Sequence, residues 1–166
     1  MLPVCEDGEE DLKVKKVTAY IDTVLRGKMD EGIGVYNFVC EYVASNGVMY
    51  TTEEIGAYKN TTNNRIAIIA TIRALEKLKS PCDIDIFINS NYVAETMKKK
   101  RYIKWMEKGW EKVKNRDLWE RLIALDRKNV VKYEYLKTNS YTEYMRSQIQ
   151  KNLTTLNYKE DKGSDS

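Results

Sequence analysis

A change of hydrophobic periodicity near residue 63 constrains the fold more than any other feature of the sequence. Before it, residues 14–21, 33–42 and 48–58 are rich in β-branched and aromatic side chains, which favour strands. An Asn-Gly pair between the last two runs favours a hairpin, because both residue types tolerate positive φ. After it, apolar residues recur at helical spacing from 66 to 78, behind a Thr-Thr-Asn-Asn sequence that can cap a helix. Three antiparallel strands and then a helix are therefore predicted.

The second half of the chain alternates strand and helix patterns. Residues 83–89 and 130–136 are typical of strands, and residues 91–98, 117–126 and 142–153 are typical of helices. Strands reached through helical crossovers should lie parallel to the first strand. The predicted fold class is α/β, with a five-stranded mixed sheet of three antiparallel and then two parallel strands, flanked by helices.

The predicted domain covers residues 13–153, and both ends differ from it in composition. Residues 1–12 carry five acidic residues and no basic one, and residues 154–166 are also polar and acidic. Both ends are too poor in apolar residues to offset the entropy of ordering them, so disordered tails are predicted there. The domain between them has a net charge of +9. A basic body of this kind favours polyanionic partners.

Two absences narrow the classes of function. The 166 residues contain no histidine, which excludes Ser-His and Cys-His catalytic pairs and imidazole metal sites. The first residues lack the basic and apolar regions of a secretory signal, and no run approaches 18 apolar residues. We therefore expect a cytoplasmic protein without a membrane partner.

Several short motifs occur in order along the chain. They are TAYIDT (18–23), GIGVY (32–36), TTNNR (61–65), INSNYV (88–93), KGW (108–110), NRDLWERL (115–122) and VKYEYLK (131–137). At this spacing they resemble the ribonuclease H family, type 1, from about residue 14 to residue 153. The resemblance implies an RNase H-like fold and a relation to proteins that act on RNA/DNA hybrids.

Members of that family cleave the RNA strand of a hybrid with two divalent metal ions, which four carboxylates hold. The resemblance matches the first carboxylate to Asp22, whereas Ala67, Asn89 and Ile149 stand at the other three positions. Two divalent ions about 4 Å apart repel strongly, and one carboxylate cannot hold both. We therefore expect no cofactor and a catalytically silent homologue. Magnesium or manganese would enter only through a rearranged site, built from Asp22, Asn89 and Glu143.

Nucleic-acid binding is the functional signal that remains. Residues 97–116, here called the basic segment, hold nine basic and two acidic residues, a net charge of +7, interleaved with aromatic residues. Phosphate neutralisation and base stacking require such a combination. On one helix, Lys100, Lys104 and Lys108 would share a face. The residues predicted to bind nucleic acid, some of them implied by the resemblance, are Thr62, Asn63, Asn64, Lys98, Lys99, Lys100, Arg101, Lys104, Trp105, Lys108 and Trp110.

Simpler interpretations stand beside these predictions. Thr62, Asn63 and Asn64 suit a helix cap, and Asp22 and Asn89 suit the turn at a strand end. The basic segment is also compatible with a solvated charged face that its tryptophans anchor to the core.

The leading hypothesis is a nucleic-acid-binding homologue that recognises an RNA/DNA hybrid, or a double-stranded RNA or DNA, without cutting it. One alternative is an active ribonuclease H with a rearranged metal site. Another is a protein-interaction module in a replication, retroelement or phage complex, where a protein partner supplies or replaces the catalytic function.

Overall fold

The computed structural model describes residues 15–26 and 32–163. Within them the elements follow in the order β1 (Lys15–Arg26), β2 (Gly32–Val43), β3 (Met49–Thr61), α1 (Asn63–Glu76), β4 (Cys82–Ile88), α2 (Asn91–Lys98), α3 (Tyr102–Glu107), α4 (Arg116–Arg127), β5 (Val130–Tyr135), α5 (Thr142–Asn152) and β6 (Tyr158–Glu160). The tail predicted for residues 1–12 lies outside the described residues. No helix in the described ranges is both long enough and apolar enough to cross a membrane.

The strands form one mixed sheet in the order β5-β4-β1-β2-β3-β6. β2 pairs antiparallel with both β1 and β3, whereas β4 pairs parallel with β1 and β5 pairs parallel with β4. The hairpin between β2 and β3 turns at Gly47, which has a φ of +84°. The predicted arrangement of three antiparallel and two parallel strands is therefore confirmed.

The two faces of the sheet carry different layers. Val17, Ala19 and Ile21 of β1 belong to the main core, together with apolar residues of α1, α2 and α4. Side chains alternate along a strand, so Asp22 points to the opposite face. That face is covered by α5, where Ile149 packs on β2 and β3. Asp22, the position that the resemblance matches to a metal-binding carboxylate, thus lies where α5 meets β1.

The last strand was not predicted from the sequence. β6 pairs in parallel with β3, with Tyr158 opposite Ala57, although a disordered tail was predicted for residues 154–166. Leu153, Leu156 and Tyr158 pack against a small apolar cluster that includes Ala57 and Ile149. Three apolar side chains at irregular spacing form neither a strand nor a helix pattern, and their burial depends on the neighbouring sheet edge.

Candidate nucleic-acid interface

Parallel pairing of β1 and β4 brings the two polar residues of the predicted centre together. Ile21 pairs with Ile88, the last residue of β4, so Asp22 within β1 and Asn89 just after β4 lie side by side. Asp22 is only 1% exposed. A carboxylate buried to this degree needs hydrogen-bond or charge partners.

The Asn89 amide is the first of those partners. Its Nδ2 donates to Asp22 Oδ1 at 3.0 Å and to the Thr23 carbonyl oxygen at 3.1 Å. Its Oδ1 accepts from the backbone N–H and from the hydroxyl of Thr23, both at 3.1 Å. Every hydrogen-bonding position of the amide is therefore used. An aspartate here would lose both donated bonds and would face another carboxylate, so the amide suits a centre without metal.

Arg146 is the second partner of Asp22. Its Nε lies 3.3 Å from Asp22 Oδ2, and its side chain is 52% exposed. Burial raises the pKa of the Asp22 carboxyl above its ordinary value, and Arg146 opposes that rise. The ion pair has no net charge, whereas a cluster of metal-binding carboxylates is strongly negative.

The structure shows why sequence matching missed Arg146. Ungapped matching placed the fourth carboxylate position at Ile149, which is buried and packs on Val35 and Ala57. Arg146 lies three residues earlier on α5, nearly one helical turn away, and this is the residue that reaches Asp22. The rotation of α5 about its own axis decides which side chain faces Asp22, and the local sequence does not fix that rotation.

The residues present do not fit a pair of divalent metals. Asp22 has both oxygens engaged, the Asn89 oxygen is turned towards Thr23, and Ala67 is a buried core residue without a donor atom. Glu143 is exposed on α5. Among the described residues, no group of three or more Asp, Glu, Cys or His side chains is placed to hold a metal ion.

A polar pocket of about 360 Å³ lies beside Asn89. It is lined by Thr23, Asn63, Asn64, Asn89, Ser90, Asn91, Tyr92 and Tyr135. Helices α1 and α2 both begin here, and their caps are Thr62 and Ser90, which accept from the backbone N–H groups of Arg65 and Val93. Two of the three helix-entry residues predicted to bind nucleic acid, Asn63 and Asn64, thus line an open pocket, whereas the Thr62 hydroxyl is used as a cap. Amide groups and backbone N–H groups at helix starts suit phosphate and sugar oxygens.

A buried arginine fixes the position of the α1 helix entry. Arg65 bonds Asp117 on α4 and Asp161 after β6, both at 2.8 Å, and also Asn115 at 3.2 Å. Burial lowers the pKa of the Arg65 guanidinium, but its hydrogen bonds to the two carboxylates outweigh burial and raise it. The hydrogen bond from Arg65 lowers the pKa of Asp117. Burial would raise the pKa of Asp161, but hydrogen bonds from Arg65 and Thr61 lower it overall. Asp161 could not be predicted as a partner of Arg65, because it lies in the predicted tail.

The basic segment differs from its prediction in local structure. A single helix carrying Lys100, Lys104 and Lys108 on one face is wrong, because α2 ends at Lys98 and α3 begins at Tyr102. Lys100 has a φ of +51°, so the chain turns there. The side chain of Tyr102 is buried after this turn, which joins α3 to the core. Lys104 lies on α3 and Lys108 is its C-cap. Lys100, Lys104 and Lys108 are all exposed, but they do not lie on one face of one helix.

The basic residues fall into two groups by their ion pairs. Lys98 bonds Glu134 at 2.9 Å, and Lys99 bonds Glu95 at 2.7 Å. Lys100, Arg101, Lys104 and Lys108 are exposed, and no ion pair is found for them among the described residues. These four cations, rather than Lys98 and Lys99, are the ones most available to neutralise phosphates.

Trp105 and Trp110 anchor the segment. Their rings lie 6.0 Å apart, and the Trp105 ring lies 5.6 Å from that of the buried Trp119. Arg116 lies over the Trp110 ring at 5.3 Å. Both tryptophans are half-buried, so packing accounts for most of their surface, and contact with nucleic acid stays a prediction for them.

Comparison with known proteins identifies the family. A profile of the RNase H family matches residues 14–148. The chain belongs to the ribonuclease H family. A ribonuclease H of Lachnoclostridium phytofermentans is 39% identical over 127 residues, which cover 74% of this chain and 80% of the relative. A ribonuclease H of Clostridium botulinum is 35% identical over 137 residues, which cover 79% and 89%.

Solved structures of the family have the same fold. LC9-RNase H1, described as a type 1 RNase H with the type 2 active-site motif, has a TM-score of 0.71 and 19% identity, covering 82% of this chain and 71% of its own. LC11-RNase H1, solved in complex with an RNA/DNA hybrid, has a TM-score of 0.57 and 22% identity, covering 82% and 99%. At such identities the similarity shows the fold. The family and fold predicted from the motifs are therefore confirmed.

Proposed function

We propose that this ribonuclease H homologue binds RNA/DNA hybrids without cleaving them. One observation carries the proposal: the Asp22 carboxylate is held by the Asn89 amide and the Arg146 guanidinium. Ala67 and Ile149, at the other two carboxylate positions, offer no metal ligand. A nuclease of the two-metal kind needs several anionic oxygens around its ions, and the described centre has one neutralised carboxylate.

The surface beside this centre supports binding. The polar pocket at the starts of α1 and α2 adjoins Asn89, and the basic segment follows α2 along the chain. An eight-residue helix such as α2 is about 12 Å long, so pocket and basic segment lie within the span of a short duplex. The relative LC11-RNase H1 was solved with an RNA/DNA hybrid, which is the ligand that we propose here.

The experiment measures binding and cleavage together. Fluorescence anisotropy with a labelled RNA/DNA hybrid, in magnesium and in EDTA, should give the same affinity, and gel analysis of the samples should show intact RNA. Affinity should fall steeply with salt, because each neutralised phosphate releases counterions. Metal-dependent cleavage that is lost in Asp22→Asn would overturn the proposal.

A charge reversal tests which surface binds. Replacing Lys100, Lys104 and Lys108 with Glu should weaken hybrid binding by well over tenfold. The matched control replaces the exposed Lys132, Lys151 and Lys159 with Glu, which changes the net charge equally. Equal losses in the two variants would mean that only overall charge matters and that the basic segment is a solvated face.

An active ribonuclease H is the second candidate, and the names of the relatives favour it. Proteins 39% and 35% identical to this chain are called ribonuclease H. Activity here would require Arg146 to leave Asp22 and a metal to be held by Asp22, Asn89 and a further donor such as Glu143. The same cleavage assay, run in magnesium and in manganese, separates the two candidates.

A protein partner that supplies or replaces the catalytic groups is the remaining alternative. We would adopt it if the chain bound no hybrid or other duplex at low salt.

A further inference from the structure

Arg146 holds its position through one of its nitrogens only. The contact with Asp22 is made by Nε, and no partner is found for the two terminal nitrogens among the described residues. Half of the side chain is exposed although the carboxylate that it contacts is almost fully buried. The guanidinium is therefore held on its Nε side by Asp22, and its two terminal nitrogens remain available to a ligand.

The pairing with Asp22 uses only part of the hydrogen-bonding capacity of the Arg146 guanidinium. Asn89 already donates a hydrogen bond to the same carboxyl. A guanidinium that has planar N–H donors left over is suited to bind an oxyanion in a bidentate manner.

The surroundings of Arg146 favour an anion. Asn89, on the other side of the Asp22 carboxyl, lines the polar pocket where α1 and α2 begin. Arg26 follows Asp22 by four residues on the same face of β1 and bonds the amide of Gln150, and no carboxylate partner is found for it among the described residues. Glu143 lies three residues before Arg146 on α5 and is exposed, and no ion pair between the two is found among the described residues.

We propose that Arg146, held by Asp22, binds a backbone phosphate of the nucleic acid. The guanidinium then supplies, from the protein itself, positive charge that metal ions supply in a two-metal nuclease. It would fix the register of the bound strand and leave the phosphodiester intact, because a guanidinium activates no water. This inference rests on the proposed function, since it names the residue that contacts phosphate at the degenerate centre.

Hybrid binding by Arg146→Gln, compared with the unmodified chain, tests the inference. The variant should bind about tenfold more weakly, as expected for the loss of a charged hydrogen bond. The slope of log affinity against log salt should fall by about one, which corresponds to one phosphate contact. Arg146→Lys should recover part of the affinity, because it keeps the charge and loses the planar donors.

Arg121→Gln is the matched control. Arg121 is 57% exposed and bonds one carboxylate, that of Glu76, at 3.4 Å, so it resembles Arg146 in exposure and pairing but lies on α4. Its replacement should leave affinity and salt slope unchanged. Circular dichroism of all variants identifies any loss of affinity that results from unfolding. The double variant Asp22→Asn/Arg146→Gln removes the carboxylate that Arg146→Gln alone leaves unpaired. It should still bind hybrid weakly.

Two further outcomes distinguish a failure of the Arg146 inference from a failure of the proposed function. If the unmodified chain binds hybrid and Arg146→Gln binds equally well with the same slope, the inference is wrong and the proposed function stands. If the unmodified chain binds no hybrid, the proposed function fails, and the Arg146 Nε–H resonance is followed by NMR during titration with inorganic phosphate. A saturating shift that is absent for Arg121 supports the anion site, and no shift overturns it.

Discussion

Two arginines each neutralise carboxylates in this fold, and they do so in opposite ways. Arg65 is 7% exposed in its side chain and bonds two carboxylates and an amide, whereas Arg146 is 52% exposed and contacts one carboxylate through one nitrogen. Arg65 connects α1, α4 and the segment after β6, so its donors are consumed inside the protein. Arg146 has donors left over at the surface. The same residue type is therefore structural at one site and available for a ligand at the other.

Replacing Arg65 should give the largest effect on stability. Arg65→Gln leaves Asp161, whose side chain is 5% exposed, without its cation. Removing one partner of a buried ion pair costs about 3–5 kcal/mol. Urea denaturation should show this loss, and Arg121→Gln in the same assay should change the free energy of unfolding by less than about 0.5 kcal/mol. Similar values for the two variants would contradict the structural role of Arg65.

Asn89→Asp should have an intermediate effect. The substitution removes two donated hydrogen bonds and places a second carboxylate beside Asp22, which we expect to cost about 1–3 kcal/mol in EDTA. The control is Asn91→Asp, since Asn91 is exposed in the first turn of α2, where a negative charge is favourable. If Asn89→Asp were as stable as the unmodified chain when both are measured in EDTA, the centre would tolerate a pair of carboxylates. Our explanation of the Asn89 amide would then be wrong.

Arg146→Gln should have the smallest effect on folding, about 1 kcal/mol, because half of the side chain is in solvent. The loss of stability in Arg146→Gln should depend on pH differently from the loss in Arg65→Gln. The pKa of folded Asp22 is already raised and should rise further in the variant, so the stability difference should vanish as the pH falls through these raised values. The pKa values of Asp117 and Asp161 are lowered, so their pairing with Arg65 stabilises the fold above the ordinary aspartate pKa and is lost only as the pH falls through the lower, folded-state values.

Denaturation of both variants at a series of pH values checks this. The deficit of Arg146→Gln should disappear at a higher pH than the deficit of Arg65→Gln. The opposite order would mean that Asp22 is not the group through which Arg146 acts.

Much of the fold was predictable because its signals are local. The strand patterns, the Asn-Gly turn and the helix entry at residue 63 each depend on neighbouring residues, and the motifs fixed the family. The parallel pairing of β1 and β4, which was also predicted, places Asp22 beside Asn89, two positions that the resemblance had matched to metal-binding carboxylates.

The features that the sequence did not predict depend on contacts between distant segments. Asp161 reaches Arg65 only because β6 pairs with β3, and Arg146 reaches Asp22 only because of the rotation of α5. The end of α2 at Lys98 agrees with the predicted helix, but the turn at Lys100, which adopts positive φ without being glycine, was not predicted. In each case the tertiary packing selects one of several conformations that the local sequence allows.

Hybrid binding without cleavage depends on the absence of a metal-binding charge cluster around Asp22. Manganese titration followed by NMR tests this most directly, because a bound paramagnetic ion broadens the resonances of nearby groups. With hybrid present, we predict that the side-chain amide resonances of Asn89 and the Nε–H resonance of Arg146 stay sharp. Broadening of those resonances at low manganese concentration, abolished by Asp22→Asn, would contradict the account and restore a metal site to this protein.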